Sequence, residues 1–397
     1  MLIKRLRLKN KADRRLKFGH LWIYSNEVDT KTSPLKSFEL GEQVLVENVN
    51  GKALGIAYVN PNSLICARLV SRDSEQMLDK SLLVHRINIA LSMRERLFDK
   101  PFYRLVYGDS DGLPGLVVDR FGDYLVAQIS TAGMENLRDV VIDALNQALK
   151  PKGILFKNNG NGRKLEDLAQ YVEVVSGQVP NVVMLEENGV SFQAPVVEGQ
   201  KTGWFYDHRM NRDRLRPYVQ DKRVLDVFSY VGGWGVQAAA FGADQVTCLD
   251  ASAFALDSVH ANAELNDVQD KVETIEGDAF EALKSLKSAE ERFDVIIVDP
   301  PAFIKKRKDI KVGEQAYRRI NELAMRLLDK DGYLIAASCS MHLQRENMVD
   351  LLRTGSRNIG RNLQILEQGH QGPDHPVHPA IPETDYIKSI FTRLTPY

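Results

Sequence analysis

From residue 221 onward, short apolar runs alternate with amphipathic stretches five times. RVLDVFS, QVTCLDA, KVETIEGD, FDVIIVDPP and GYLIAASCS read as strands. Residues 233–241, 252–265, 279–288, 313–329 and 344–357 read as the helices between and after them. Strands that are apolar along their whole length must be covered on both faces. A helix after each strand provides that cover when the strands run parallel. In such a sheet ligands bind at the carboxyl ends of the strands, so the polar residues there carry the most information about function.

Those ends are acidic. Asp226 lies in the first strand and is followed by FSYVGGWG; Asp250 ends the second, Asp278 the third, and Asp299 opens Asp299-Pro300-Pro301-Ala302-Phe303 after the fourth. The fifth ends in Ser338-Cys339-Ser340. A Gly-rich turn after the first strand lets a ligand approach the backbone, and an acid after the second suits the hydroxyls of a ribose. The turn does not fit G-x-G-x-x-G, and Phe228 and Tyr230 stand where a pyrophosphate needs close approach. A nicotinamide-dependent oxidoreductase is therefore disfavoured. A nucleoside cofactor without a pyrophosphate, such as S-adenosylmethionine, fits better, with Asp278 able to accept a hydrogen bond from an adenine amino group. A single strand-end Asp often only caps the next helix. Four in order, with a Gly-Gly turn at the first, point to a ligand. In the fourth loop two prolines restrict the backbone, Asp299 can bond a base edge and Phe303 can stack on a base face.

Residues 1–72 carry short strands (IKRLRL, GEQVLVEN, ALGIAYVN, LICARLV) separated by Gly, Pro and Asn, as in a small β-barrel. Residues 77–98 read as a helix. Three strands with turns at SDGLPG and RFGD follow, then the helix MENLRDVVIDALNQALK, then further strand-like segments to about 185–190. The expected organisation is 1–72, a central α+β region 73–188, and 189–397.

The net charge of −1 does not by itself favour a nucleic-acid partner. Its distribution is uneven: residues 1–20 hold eight Lys and Arg against Asp13 alone, and Lys305, Lys306, Arg307 and Lys308 form a second cluster near Arg318 and Arg319. Such patches are the footprint of phosphate binding. Three widely spaced cysteines form neither a disulfide framework nor a zinc site, and Cys66 and Cys248 read as small apolar strand residues. His375 and His378 in DHPVHP read as loop residues, with no further metal ligand at suitable spacing. MLIKRLRLKN has no apolar core of a secretory signal, and no apolar run approaches the roughly 18–20 residues of a membrane span. A cytoplasmic chain with no membrane partner is expected.

GHLWIYSNEV, YGDSDGLPGLVVDRFGDYLVAQ, KTGWFYDHRMNR (201–212), VLDVFSYVGGWGV, VDPPAF, SCS and DHPV (374–377) occur in that order. Together they resemble the RlmI-type ribosomal RNA large-subunit methyltransferases, over essentially the whole chain. The resemblance implies a PUA-like RNA-binding β-barrel, a central α+β domain and a C-terminal Rossmann-like class I methyltransferase with a mostly parallel sheet. It implies S-adenosylmethionine as cofactor, 23S rRNA or a large-subunit precursor as partner, and C5 of a cytidine as the target; it leaves a homodimer open. By resemblance, Asp226, Phe228, Tyr230 and Gly232 surround the amino-acid part of the cofactor, Asp250 bonds the ribose and Asp278 the adenine. KTGWFYDHR is then a β-hairpin leading into the last domain, with Tyr206 and Arg209 near the methionine end. Cys339 is the nucleophile, Asp299 contacts the base, and Pro300, Pro301, Phe303 and Lys305 line the substrate.

The chemistry agrees with the last assignments. C5 of cytosine is a poor nucleophile until a thiolate adds to C6, and a carboxyl at N3 favours that addition. Both groups must face a base flipped out of its stack. Two departures matter. Many RNA cytosine-C5 methyltransferases carry a second Cys in the fourth-strand loop, absent here, so no residue is assigned to take the C5 proton. A related group methylates a guanine ring nitrogen with a similar D-P-P-x-F loop and no thiol. A base-nitrogen methyltransferase and a non-catalytic RNA-binding assembly factor are thus the alternatives. The nucleotide modified, and naked RNA against an assembled particle as substrate, are not legible.

Overall fold

The alternation after residue 221 forms one seven-stranded sheet in the computed structural model, which describes residues 3–397. Met1 and Leu2 of the basic amino-terminal stretch lie outside the described residues. The strands are β1 (Arg223–Val227), β2 (Gln245–Asp250), β3 (Val272–Glu276), β4 (Phe293–Val298), β5 (Leu328–Ser338), β6 (Arg361–Gly369) and β7 (Lys388–Pro396). Their order is β3-β2-β1-β4-β5-β7-β6. The first five pair in parallel, and β7 runs antiparallel to both β5 and β6. The order reverses between β1 and β4, the place where sheets of this kind bind ligands. Helices α1 (Gly235–Ala240), α2 (Ala253–Glu264), α3 (Ala279–Ser288), α4 (Ile310–Met325) and α5 (Arg345–Asn358) follow the first five strands. Leu225, Val227, Ile296, Val298, Leu334 and Ala336 are buried in a core with Tyr317, Ile320 and Met348 from the helices, as continuous apolar strands require.

β5 starts at Leu328, earlier than its sequence suggested. Asp331-Gly332 does not break the strand. It is absorbed in an irregularity between the Phe293–Leu328 and Val295–Tyr333 pairs, a bulge of the kind that lets extra residues leave the ladder.

These elements belong to one compact unit, Met184–Ala194 with Phe205–Gly372 and Asp385–Tyr397. The other unit holds the chain up to Val183, with Pro195–Trp204 and Pro373–Thr384. Its first sheet orders Arg5–Arg7, Gln43–Glu47, Ala53–Val59, Ile65–Ser71 and Trp22–Tyr24, and an isolated bridge between Leu8 and Val28 joins the segments beyond its outer strands. Its second sheet is formed by Phe102–Tyr107, Leu116–Phe121, Tyr124–Ile129, Gly153–Asn158 and Tyr171–Gly177. The helices Lys80–Leu97 and Arg138–Leu149 place Leu83, Ile87, Val141 and Leu145 in a core with Val118, Leu125 and Phe156. Fully buried Arg94 is bonded to both Asp111 oxygens at 2.7 Å and to the Asp374 carbonyl at 2.8 Å. The Asp374 carboxylate accepts from Arg104 N at 3.0 Å. The acid of DHPV thus fixes the returning segment 373–384. No helix is long and apolar enough to cross a membrane among the described residues.

KTGWFYDHR is not a hairpin. The hairpin lies just before it, Val183–Glu187 with Val190–Ala194, turned by Asn188 and Gly189 at φ 57° and 81°, the two-residue turn that suits paired strands. Residues 201–204 form turns, and Tyr206–His208 is a 3₁₀ turn running into the helix Arg209–Asp213. Trp204, Tyr206, Asp207, His208 and Arg209 are all buried. A surface hairpin alternates buried and exposed side chains, and this run does not.

Candidate active site

Asp226 is completely buried in β1. Its Oδ2 accepts from Gly235 N at 2.8 Å, and its Oδ1 has no hydrogen-bond partner. Burial pushes its carboxyl up to about 8, against the pull of the Gly235 N–H and Arg212, while Asp299 and Asp250 push the same way as burial. A buried acceptor of this kind calls for a proton or a ligand cation.

The turn after Asp226 is strained. Phe228 and Tyr230 have φ of 68° and 49°, a region that bulky residues occupy only when their surroundings force it. Phe228 N and Ser229 N both donate to the Leu249 carbonyl, at 2.9 and 3.1 Å. Tyr230 N donates to Asp250 Oδ2 at 2.9 Å, while Asp250 Oδ1 accepts from Ser252 N at 3.0 Å. Asp250 therefore holds the turn. A side chain is excluded at Gly235, where a Cβ would lie 2.4 Å from Cys248 Sγ. Gly232, at φ 84°, lies in the same turn. Asp278 is exposed and caps α3, its Oδ1 accepting from Phe280 N and Glu281 N at 3.0 and 3.1 Å. Capping alone accounts for an acid there.

Asp299, half-buried after β4, is oriented by two residues the sequence did not single out. Trp234 Nε1 donates to its Oδ2 at 3.0 Å, and His208 Nε2 stands 3.5 Å from its Oδ1. Tyr206 and Arg209 lie in a network centred on buried Glu187. Arg212 bonds both Glu187 oxygens at 2.5 and 3.0 Å, Arg209 Nε lies 3.5 Å away, and Gln237 of α1 donates at 3.0 Å. The Arg209 guanidinium sits 5.0 Å from the Tyr206 ring centre.

Cys339 is half-buried, flanked by two buried serines. Both serines are bound to Tyr317 of α4: Ser338 Oγ donates to its hydroxyl at 3.0 Å, and Ser340 Oγ lies 2.7 Å from it. Ser340 Oγ also accepts from Ile304 N at 3.3 Å, and the Phe303 and Tyr317 rings are 4.8 Å apart. Tyr317 thus joins the Asp299 loop to the Cys339 turn. Phe303 packs between Phe228, Phe280 and Tyr317, Pro300 is buried, and Pro301 and Lys305 are exposed. The other thiols are sealed: burial pushes Cys66 up to about 12 and Cys248 well above the ordinary value.

The two basic clusters differ. Lys4 pairs with Glu42, Arg5 and Arg7 with Glu47, Arg15 with Glu27 and Lys17 with Asp13. Much of the amino-terminal excess is therefore neutralised. Lys305, Lys306, Arg307 and Lys308 are exposed and enter no ion pair among the described residues.

Known proteins are similar to this chain in sequence and in fold. The model of the S-adenosylmethionine-dependent methyltransferases matches residues 162–383, and that of a PUA-like domain matches residues 6–72. Ribosomal RNA large subunit methyltransferase I of Aliivibrio fischeri is 35% identical over 387 residues, covering 96% of this chain and 97% of its own. The crystal structure of a methyltransferase complexed with SAH superposes with a TM-score of 0.85 at 21% identity, over 98% of this chain and 100% of that one. A Streptococcus mutans SAM-dependent methyltransferase superposes with a TM-score of 0.84 at 21% identity and the same coverage, 98% and 100%. At this identity the structural likeness is one of fold.

Proposed function

The chain belongs to the S-adenosylmethionine-dependent methyltransferase family that includes ribosomal RNA large subunit methyltransferase I, and from that premise we propose that it methylates C5 of a cytidine in 23S ribosomal RNA. The observation that carries the choice of C5 is Cys339: a half-buried thiol at the end of β5, presented by two serines that Tyr317 ties to the loop of Asp299. Methylation of a ring nitrogen needs no thiol there.

The residues fit the cofactor. Asp226 Oδ1 is a buried acceptor with no protein partner, beside a turn kept clear of side chains at Gly232 and Gly235. Asp226, with Phe228, Tyr230 and Gly232, would hold the amino-acid part, Asp250 the ribose and Asp278 the adenine end. Bound S-adenosylmethionine supplies a methyl group on a sulfonium sulfur, which accepts an electron pair.

The Cys339 thiolate adds to C6 of the base, forming a C–S bond. Asp299, held by Trp234, bonds the base edge and stabilises the charge that develops. The C5–C6 electron pair would then take the methyl group that S-adenosylmethionine, held at Asp226 and its turn, would supply, with the S–CH₃ bonding pair left on the cofactor sulfur. Transfer of the C5 proton to a solvent base then restores the C5–C6 double bond, and the C–S pair returns to Cys339 as the thiolate. No electrons are gained or lost overall. The PUA-like domain and the exposed Lys305–Lys308 run supply RNA contacts. A substrate of this kind places the reaction in the cytoplasm.

RNA containing 5-fluorocytidine tests the mechanism, because fluorine at C5 cannot leave as a proton and the adduct persists. The wild type forms a covalent complex stable to denaturing gels, and Cys339→Ala forms none. A methylguanosine product, or full activity in Cys339→Ala, would overturn the reading.

A further inference from the structure

We propose that Lys388 is a positioning residue that holds Cys339 in its thiolate form, an inference that rests on reading Cys339 as the nucleophile. Lys388 opens β7 and pairs with Ser338 across the antiparallel ladder. It is 6% exposed, and its Nζ donates to the Ser340 carbonyl at 2.7 Å. The ammonium is thereby anchored on the residue next to Cys339, although 48 positions separate it from Ser340 in the chain.

Burying an ammonium is costly and needs a compensating partner. One backbone carbonyl satisfies one of its three N–H bonds. Nearby negative charge offsets part of the rest. Burial pushes Lys388 down to about 8, while negative charge on Asp385 and Cys339 pushes it back up and Arg345 lowers it further. Coupling between two sites is reciprocal. If an anion at Cys339 favours the ammonium, the ammonium favours that anion equally. The charges that act on Lys388 besides the thiol are Asp385 before β7 and Arg345 at the start of α5, and Cys339 also faces the Tyr317 hydroxyl on α4. Lys388 is thus a cation anchored on the residue next to Cys339, and a cation so placed favours a thiolate, as in other low-pKa cysteines. A lysine that only fastens the turn to β7 gives the same hydrogen bond without shifting the thiol.

Alkylation of Cys339 by iodoacetamide, followed by mass spectrometry of its peptide from pH 6 to 10, separates the two roles. Wild-type Cys339 is expected to titrate below the ordinary thiol value of about 8.5. In Lys388→Met the midpoint moves up by about one pH unit, and adduct formation with 5-fluorocytidine RNA near pH 7 slows about tenfold. Lys388→Arg, which keeps the charge, restores a low midpoint. A wild-type midpoint at or above 8.5 overturns the proposal even if Lys388→Met fails to fold. So do parallel profiles for a folded Lys388→Met and the wild type. A low midpoint without any RNA adduct overturns instead the nucleophile reading and leaves the Lys388–Cys339 pairing standing.

Discussion

Asp226→Asn tests the electrostatics of the site most directly. Burial carries the Asp226 carboxyl from its ordinary 3.8 to about 8. Between those values the folded chain keeps a proton that the unfolded chain has released. The stability this group contributes is therefore complete below its unfolded value and is lost as pH rises through its folded one. Inside the window each pH unit costs about 1.4 kcal/mol. From pH 5.5 to 7.5 the loss is about 2.5 kcal/mol. Asparagine does not titrate, its amide oxygen can still accept from Gly235 N, and every other titrating group is shared. The unfolding free energy of the wild type minus that of Asp226→Asn, from urea denaturation at constant ionic strength, should therefore fall by about 2.5 kcal/mol over that range. A second arm measures S-adenosylmethionine binding by calorimetry in two buffers of different ionisation heat. The ligand's ammonium replaces the carboxyl proton, so the wild type releases about one proton at pH 7. Asp226→Asn releases none from this site and binds about 10- to 100-fold more weakly, the worth of a charge-assisted hydrogen bond. Stability curves that stay parallel across pH would falsify the account of Asp226 as a buried carboxyl awaiting a cation.

Two further substitutions probe the supports of the site. Tyr317→Phe removes the hydroxyl shared by Ser338 and Ser340; urea denaturation should show a loss of about 1–3 kcal/mol, with slower adduct formation and unchanged S-adenosylmethionine affinity. Gly235→Ala places a Cβ 2.4 Å from Cys248 Sγ and should cost about 1–3 kcal/mol; Cys248→Ala in the same chain should recover part of it, and strictly additive losses in the double variant argue against the clash.

The five parallel strands of the C-terminal sheet were legible because apolar runs alternate with helices there, whereas β6 and β7 were not read: β6 is mostly exposed and carries no apolar run, and no α-helix separates it from β7. The same reasoning brought Asp226, Asp250, Asp299 and Cys339 to one edge. It could not identify the side chains that orient them. Trp234 reaches Asp299 across 65 positions and Tyr317 reaches Ser340 across 23. Such contacts depend on strand register and on which face of a following helix points inward, and no local pattern encodes either. Nothing in the sequence around Lys388 marks it; only the β5–β7 ladder sets it opposite Ser338. Trp22–Tyr24 was missed because a strand of three residues is too short to show a period. The amino-terminal charge excess overstated the free charge for a related reason: Glu27, Glu42 and Glu47, which pair with its cations, lie outside the window in which the charges were counted.

A strand-end acid that caps a backbone and one that binds a ligand are not opposed readings in this fold. A carboxylate has two oxygens and about four acceptor positions. Asp250 uses one oxygen on Tyr230 N and the other on Ser252 N, and Asp226 uses Oδ2 on Gly235 N while Oδ1 stays without a partner. Each backbone bond fixes the direction of the lone pairs that remain. It also fixes the backbone itself, because Phe228 and Tyr230 stay in their unfavourable φ region only while the Leu249 carbonyl and the Asp250 carboxylate hold them. Removing the Asp250 side chain would thus release the strained turn as well as any ribose contact, and the affinity lost would measure both. Asp250→Asn keeps an acceptor for Tyr230 N and loses the one for Ser252 N, so it spares the strained turn, and its effect reports any ribose contact together with the Ser252 N–H bond.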